Sequence, residues 1–345
     1  MGRTHRKFKY VENLGPTLDQ GTKTMNFNTI HYFSKQDMEC LSINSIDIID
    51  SIQALCIGLD EGWVHAAPKN SLALEDGRFY MTTLAAVAPP GFMATKSLGL
   101  SGKNSGRGLD SIAAITILFD SETGHPVAIM DGNWITAKRT AAISALAARF
   151  MARKNIEIAA FIGCGVQACS HLEIFSDLYP IREIHILGRG LSNQIQLKQI
   201  AEARSVRTII AESGAEAIKH ADLIVTSIPD LPNMTPFLSA YDVKAGAFIT
   251  MVDLARSWIP ETLDQFDCII IDDKAQEANM KSPMLNLELV NGDLRDLITG
   301  LITVSNSPNE CSAFAFRGLA IGDLALARLA YESACAAGLG SILPR

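Results

Sequence analysis

A glycine-rich turn lies between an apolar run and a helical pattern. The segment Gly163-Cys-Gly-Val-Gln-Ala168 reads G-x-G-x-x-A; it follows Ile158–Ile162 and precedes a helical stretch that extends to about Leu178. Gly163 permits a tight turn, and Gly165 lets the backbone approach a pyrophosphate. The helix start directs free N–H groups and its positive dipole end at the same place. The segment is predicted to bind a dinucleotide; a structural glycine turn is the alternative.

The end of the next predicted strand indicates which dinucleotide is bound. After Glu183–Leu187 the chain reads Gly188-Arg189-Gly-Leu-Ser192-Asn193, whereas an NAD site usually has Asp or Glu there to bind the ribose hydroxyls. Because a carboxylate is missing and Arg189 is available to meet a 2′-phosphate, we predict NADP, with NAD possible as the alternative. A solvated Arg189 on the sheet edge would carry no such information.

The cysteines indicate compartment more than chemistry. Seven are scattered along the chain, without a C-x-x-C pair and without a His pair at zinc spacing. Cys164 lies near a helix start, where the dipole lowers a thiol pKa, but no His stands close to it in a base-like setting. We therefore predict packing cysteines, reduced thiols, a cytoplasmic protein and no metal site.

Two segments carry a family resemblance. The run Met130-Asp-Gly-Asn-Trp-Ile-Thr-Ala-Lys-Arg139-Thr140-Ala-Ala-Ile-Ser-Ala-Leu-Ala-Ala148, followed by Phe161–Ala168, resembles the ornithine cyclodeaminase/mu-crystallin family. Supporting matches are 221–226 and 316–323, so that the similarity covers about residues 28 to 336. The resemblance implies transfer of a hydride between a nicotinamide and an α-amino-acid carbon, as in cyclodeaminases, amino-acid dehydrogenases and ketimine reductases.

The resemblance also implies site residues. Arg139 and Lys69 would bind the substrate carboxylate, which a planar guanidinium suits. Lys96 would bind the carboxylate as well, or move a proton at nitrogen once neighbouring cations lower its pKa. Asp253, after the strand 247–252, would hold the amino group. The predicted cofactor contacts are Thr140, Gly163, Gly165, Val166, Gln167, Gly188, Arg189, Ser227 and Ile228. From the residues alone, Lys69 could be solvated, Arg139 could pair within its helix, and Asp253 could cap a helix.

Two departures from the family pattern concern the substrate. Ornithine cyclodeaminases follow the aspartate with a Pro-Gly-Lys-like run and have a glutamate shortly before the lysine strand. Here Asp253 precedes Leu-Ala-Arg-Ser-Trp258, and residues 82–90 contain no carboxylate. Arg256 or Lys103 could favour a second acidic group. We therefore predict an NAD(P)-dependent enzyme that interconverts an α-imino or cyclic ketimine acid and an α-amino acid. A cyclodeaminase with catalytic NAD and an NADP-binding protein without turnover are the alternatives.

The elements that must position these residues form two domains in an α/β protein. Strands alternate with helices through residues 141–311, which predicts a doubly wound Rossmann domain. Residues 26–140 plus 312–345 are predicted to form an α+β substrate-binding and dimerisation domain, and residues 1–25 a disordered lead. The α+β domain would contain a hairpin of Ile112–Phe119 with Pro126–Met130, a loop at Gly99–Gly108 and a helix from Phe314 to Ala336.

Composition and net charge indicate which classes of partner the protein can bind. Among 345 residues, 48% are hydrophobic and 19% charged, which is typical of a globular protein. The net charge of -7 gives no overall positive field for phosphate backbones or anionic lipid, and no apolar run reaches the length of a membrane span. We predict a homodimer that acts on a small amino or imino acid, with neither nucleic acid nor membrane as a partner.

Overall fold

The computed structural model of the chain describes residues 27–229, 234–305 and 307–345. The chain divides into two compact units, one formed by Met1–Arg139 with Ala320–Arg345 and the other by Thr140–Leu319. The predicted disordered lead, residues 1–25, lies outside the described residues. In the described part of the chain, no helix is both long and apolar enough to span a membrane.

The first unit is built on an eight-stranded, mostly antiparallel sheet. Its strand order is β16-β1-β7-β6-β5-β4-β2, with β3 paired to β4, and β1 runs parallel to β7. The strands are β1 (Thr29–Phe33), β2 (Val64–Ala66), β3 (Asn70–Ala73), β4 (Phe79–Val87), β5 (Phe92–Leu100), β6 (Ile112–Asp120), β7 (Pro126–Asp131) and β16 (Ser341–Pro344). The helices of this unit are α1 (Lys35–Glu39), α2 (Ser45–Glu61) and α9 (Ala320–Ala337), and α3 (Gly132–Met151) contains the division point.

Side-chain alternation gives this sheet a buried face and an exposed one. Along β4, Thr83, Ala85 and Val87 are buried, whereas the residues between them are not. Helix α9 packs on β4, β5 and β6 and also on α2. Because α9 consists largely of Ala and Leu, it covers the buried face closely. Any polar side chain on that face is therefore withdrawn from water.

The second unit is a doubly wound parallel sheet, as predicted from the alternation of strands and helices. The order is β10-β9-β8-β11-β12-β15-β13-β14, and each neighbouring pair is parallel. The strands are β8 (Ile158–Ile162), β9 (Glu183–Leu187), β10 (Arg207–Ile210), β11 (Leu223–Thr226), β12 (Phe248–Met251), β13 (Cys268–Ile271), β14 (Val290–Asp293) and β15 (Ser312–Ala315). The helices are α4 (Val166–Leu178), α5 (Leu191–Ala203), α6 (Gly214–Ile218), α7 (Lys274–Ala278) and α8 (Leu294–Thr299). The strand order reverses between β8 and β11, and doubly wound sheets bind ligands at such a switch point.

Two local expectations differ from the structure. The predicted helix from Phe314 starts at Ala320, because Ser312–Ala315 is strand β15, fully buried between β12 and β13. Residues 312–319 consequently lie with the Thr140–Leu319 unit instead of with the final helix. The expected loop at 99–108 is partly ordered, since Gly99 pairs with Tyr80 and Ala113 inside the sheet and Gly102–Arg107 form a 3₁₀ helix.

Candidate active site

Lys96 lies in the middle of the buried face of the first unit. It is on β5, directly opposite Thr83 on β4 and Thr116 on β6, and its side chain has no exposed surface. Residues directly opposite each other in antiparallel strands share a face with Cβ atoms about 5 Å apart. The ammonium is therefore flanked by two hydroxyl-bearing residues.

Asp323 on helix α9 is the anionic partner of this lysine. Lys96 Nζ donates to Asp323 Oδ1 at 2.8 Å, and Thr83 Oγ1 donates to Asp323 Oδ2 at 2.9 Å. The aspartate side chain is only 2% exposed. Both carboxylate oxygens thus have a donor from the sheet, and the carboxylate has a defined orientation.

Arg139 supplies a second cation to the same oxygen. It lies on α3, and its Nε is 3.0 Å from Asp323 Oδ1. This contact is an ion pair without a hydrogen bond: among the described residues, neither Nε nor Nη1 has a hydrogen-bond partner although both are buried. A guanidinium with buried, unused N–H groups is ready to receive an external acceptor such as a carboxylate.

The charges in this cluster do not balance. With Lys96 protonated, two cations surround one carboxylate, and an uncompensated buried charge is unfavourable. Burial, and to a lesser extent the Arg139 charge, lower the pKa of Lys96 to about 8, although Asp323 acts in the opposite direction. Burial also opposes ionisation of Asp323, but the Lys96 and Arg139 charges outweigh it and hold the pKa of that carboxyl below its ordinary value. One additional anion would neutralise the cluster.

Lys69 lies level with Thr83 along the edge of the sheet. Ala67 N donates to Leu84 O at 2.9 Å, and Asn70 pairs with Thr82, so that Lys69 lies between two points at which its segment is bonded to β4. The lysine is half-buried. The register therefore brings the Lys69 backbone near Thr83, the strand position that adjoins the Lys96 cluster.

In the second unit, Gly163 brings the glycine turn against Ser227. Its φ is +96°, and a Cβ added there would lie 2.8 Å from the carbonyl oxygen of Ser227. Ser227 N in turn donates to Ile162 O at 2.8 Å. Only glycine fits this left-handed conformation and close approach. The structure thus joins two of the predicted cofactor contacts, at the switch point between β8 and β11.

The start of helix α4 has the features expected of an anion site. Its N-cap, Gly165, provides no side-chain cap, and a Cβ at that position would meet no atom within 4 Å. Val166 is 66% exposed although it is apolar. In the described residues, Gln167 Oε1 and Ser227 Oγ are buried without a hydrogen-bond partner. Free N–H groups, open space and unused polar atoms together fit a bound dinucleotide.

Gly188 and Cys164 are a packing pair. A Cβ on Gly188 would lie 2.7 Å from Cys164 Sγ. Burial raises the pKa of the Cys164 thiol to about 11, so the thiol stays protonated at neutral pH. These observations support the expectation that this cysteine packs the turn. The neighbouring Arg189 is exposed just before α5, whose N-cap Gly190 provides no side-chain cap.

Asp253 follows β12 at the carboxyl end of the sheet and is held by two hydroxyls. Thr226 Oγ1 donates to Oδ1 at 2.8 Å and Ser257 Oγ to Oδ2 at 2.7 Å. Burial raises the pKa of this carboxyl above its ordinary value, against the hydrogen bonds from both hydroxyls. Leu254 and Ala255 have φ of 60° and 59°, unusual for residues other than glycine. The predicted aspartate is therefore a buried, well-anchored acceptor.

Two predicted cofactor contacts remain to be placed, Thr140 and Ile228. Thr140 is buried on α3, immediately after Arg139, and Ile228 is half-buried after Ser227. Within the described ranges, no group of three or more His, Cys, Asp or Glu side chains is placed to hold a metal ion.

Sequence reasoning assigned no role to Asp323, Thr83 or Thr116. A signal for Asp323 was present, since it is the lone acidic residue in the apolar stretch Ala320–Ala327. A carboxylate in such a stretch requires a buried partner. The identity of that partner depends on which strand the helix covers, and the residues do not state it.

Comparison with known proteins supports one family. The model of the ornithine cyclodeaminase/mu-crystallin family matches residues 33–338. This chain belongs to that family. Rat ketimine reductase mu-crystallin is 30% identical over 250 residues, which are 70% of this chain and 76% of that protein.

Two solved structures share the fold. The Thermococcus litoralis Δ1-pyrroline-2-carboxylate reductase in complex with NADH and L-proline has a TM-score of 0.82 and 26% identity, covering 90% of this chain and 99% of that chain. An archaeal alanine dehydrogenase dimer with bound NAD has a TM-score of 0.80 and 25% identity, covering 91% of this chain and 99% of that chain. Members of the family include NAD(P)-dependent dehydrogenases and reductases of small amino and imino acids.

Proposed function

We propose that this chain is an NAD(P)-dependent oxidoreductase that interconverts an α-imino or cyclic ketimine acid and the corresponding α-amino acid. The observation that supports it most is the buried cluster in which two cations, Lys96 and Arg139, share one carboxylate, with Arg139 N–H groups unused. A substrate carboxylate would neutralise this cluster and satisfy those donors. Related proteins act on substrates of this class.

The nucleotide would be held by the second unit. The free N–H groups at the start of α4 would receive the pyrophosphate, while Gly165 leaves room for it. Ser227 Oγ and Gln167 Oε1 would gain the partners that they lack among the described residues. When bound, a reduced nicotinamide supplies the hydride, with its electron pair, that adds to the α-carbon of the imine.

The chain's own residues would orient the substrate and move the proton. Arg139, assisted by Lys69, would bind the carboxylate, and Lys96 would donate a proton to the imine nitrogen, directly or through a water. The proton leaves Nζ as the C=N bond becomes a C–N bond. In the oxidative direction neutral Lys96 would take the proton from the amine. Asp253 would accept from the amino group through lone pairs that its two hydroxyl partners leave unused.

Reductive chemistry is favoured over cyclodeamination by the residues around Lys96. Across the sheet it has Thr83 and Thr116 as neighbours, and the Thr83 hydroxyl is already bonded to Asp323. A cyclodeaminase needs an acceptor for the distal ammonium of a diamino acid, and these neutral groups provide no counter-charge. We therefore propose that the substrate has no distal cation.

The decisive assay follows nicotinamide absorbance with a panel of small, cyclic and acidic imino acids, and with the matching amino acids in reverse. Turnover that consumes NAD(P)H stoichiometrically supports the proposal. Ammonia release from ornithine or lysine without added reductant would instead establish cyclodeamination. Nucleotide binding without turnover on any substrate would favour the third possibility, a binding protein. Ligands that raise the melting temperature of the purified protein would narrow the panel.

We further propose a preference for NADP. Arg189 is exposed after β9, at the start of a helix without a side-chain cap, and could meet a 2′-phosphate. The segment 187–193 contains no carboxylate to bind the ribose hydroxyls of NAD.

A homodimer is proposed from the exposed face of the first sheet. One row of facing residues crosses five strands: Tyr32, Ile129, Ile117, Thr95 and Leu84. Its two ends are 41% and 42% exposed, and further exposed apolar side chains of this unit include Leu72, Tyr80 and Ile115. An apolar face of this kind favours association, and the related archaeal enzyme is a dimer. The seven cysteines all lie in the described residues and none of them forms a disulfide, which supports the proposed cytoplasmic location.

A further inference from the structure

We propose that Asp323 is a positioning residue of this enzyme: its carboxylate aligns the Lys96 ammonium with the Arg139 guanidinium and keeps Lys96 protonated in a buried site. The inference rests on the proposed function, because it assigns a role to a residue that acts through the proposed proton donor. Asp323 itself would touch neither substrate nor nucleotide.

The geometry supports alignment. A single oxygen, Oδ1, meets both cations, with Lys96 Nζ at 2.8 Å and Arg139 Nε at 3.0 Å. The other oxygen, Oδ2, accepts from Thr83 at 2.9 Å, which prevents the carboxylate from rotating away. An anion that bridges two cations in this way holds them a few ångströms apart, a separation that suits a single substrate carboxylate and its neighbouring nitrogen.

The electrostatics support protonation. Lys96 is fully buried, and burial together with the Arg139 charge favours its neutral form. The one charge that acts in the opposite direction, among the described groups that influence Lys96, is that of Asp323. The strands on either side contribute the neutral Thr83 and Thr116 at the facing positions. Farther along α9, Arg328 and Glu332 lie 4.0 Å apart and offset each other.

Loss of the carboxylate charge should therefore be visible in the pH dependence. An opposite charge at this distance typically shifts a pKa by about 1 to 3 units. In Asp323→Asn the shape is kept, the negative charge is lost, and two cations remain buried together. Lys96 should then lose its proton at lower pH, and the alkaline limb of kcat/KM for imine reduction should move down by about one pH unit or more.

The experiment compares three variants with the wild type across pH. Asp323→Asn should move the alkaline limb of kcat/KM to lower pH and reduce kcat. Asp323→Glu retains the charge, so its limb should return toward the wild-type position while KM for the imino acid stays raised by the displaced carboxylate. Asp222→Asn is the control, because Asp222 is also a buried carboxylate between a lysine and an arginine, with Lys244 at 2.5 Å and Arg153 at 3.2 Å, but in the other unit. It should lower the melting temperature without moving the limb.

A second readout separates this inference from the proposed function. NMR titration of ¹³C-labelled lysine, with the Lys96 signal assigned by its absence in Lys96→Met, measures protonation without turnover. The inference would be overturned if Asp323→Asn left both the alkaline limb of kcat/KM and the Lys96 titration at their wild-type pH. It would also be overturned if the alkaline limb of Asp323→Glu coincided with that of Asp323→Asn. If Asp323→Asn fails to fold, Asp323→Glu decides. An alkaline limb near the wild-type pH with a raised KM for the imino acid supports the inference, and an unchanged KM overturns it. A wild type without turnover refutes the proposed function, and the titration still tests Asp323.

Discussion

Replacement of Lys96 by methionine should separate chemistry from folding in this protein. The substitution removes the ammonium and retains an unbranched side chain of similar volume in a fully buried position. It also changes the charge of the cluster. Lys96, Arg139 and Asp323 together have two positive charges and one negative charge, whereas Arg139 and Asp323 alone form a neutral pair.

The expected magnitudes follow from this count. A positioned general acid contributes about 10² to 10⁴ in rate, so kcat for imine reduction should fall by that factor, or about 3 to 5 kcal/mol in activation free energy. Asp323 keeps Arg139 at 3.0 Å and Thr83 at 2.9 Å. Because no unpaired buried charge is created, the free energy of unfolding should change by less than about 1.5 kcal/mol. Nucleotide affinity should stay within about twofold, since the proposed nucleotide contacts all belong to the Thr140–Leu319 unit.

Three measurements test this prediction: steady-state reduction followed at the nicotinamide absorbance, fluorescence titration with NADPH, and urea unfolding. The control is Lys35→Met, which deletes an exposed lysine of the same unit, 63% accessible and paired with Glu39 at 3.9 Å. The control should be indistinguishable from wild type in all three. A Lys96→Met enzyme with more than about a tenth of wild-type kcat would refute the assignment of the proton donor. Parallel loss of activity, nucleotide affinity and stability would show that Lys96 is structural.

The remaining expected outcomes concern pH dependence, the glycine turn, the nucleotide and the dimer. Because burial and Arg139 lower the pKa of Lys96 to about 8, and reduction requires the protonated form, kcat/KM for reduction should fall as pH rises through about 8, whereas oxidation should rise there; profiles that are flat between pH 7 and 9 would contradict this. Gly163→Ala should lower the free energy of unfolding by about 1 to 3 kcal/mol, since φ is +96° and the added Cβ would lie 2.8 Å from a carbonyl oxygen. Gly165→Ala, whose added Cβ meets no atom within 4 Å, should lower the free energy of unfolding less than Gly163→Ala does and should weaken nucleotide binding, so equal stability losses in the two variants would be inconsistent with the proposed pyrophosphate site. Arg189→Ala should raise KM for NADPH about tenfold or more with little effect on NADH, and an equal change for both would exclude contact with a 2′-phosphate. Leu84→Asp, on the exposed sheet face, should convert a dimer to monomers in light scattering; an unchanged mass would place the interface elsewhere.

Local patterns were sufficient to predict the doubly wound class of the second unit and several of its strands. The bounds of Ile158–Ile162 and Glu183–Leu187 agree with the observed strands, because parallel strands buried on both faces are short apolar runs bounded by turn residues. The same reasoning misread Phe314–Phe316 as the start of a helix. A buried strand of small and aromatic residues followed closely by an Ala-rich helix has no local signal that separates the two.

The sequence by itself determined the doubly wound fold of the second unit and its glycine turn, because each depends on neighbours within a few positions along the chain. It also named several charged residues as candidates for the site. The tertiary structure alone decided which of those charges contact each other and how deeply they are buried. Lys96 and Asp323 are 227 residues apart, and their 2.8 Å contact exists because the last helix covers β5, an interior strand of the first sheet. Burial of two cations around one carboxylate, with guanidinium N–H groups left over, is a property of that packing. Burial and pairing set the strength of an electrostatic interaction, and neither can be read from the order of residues alone.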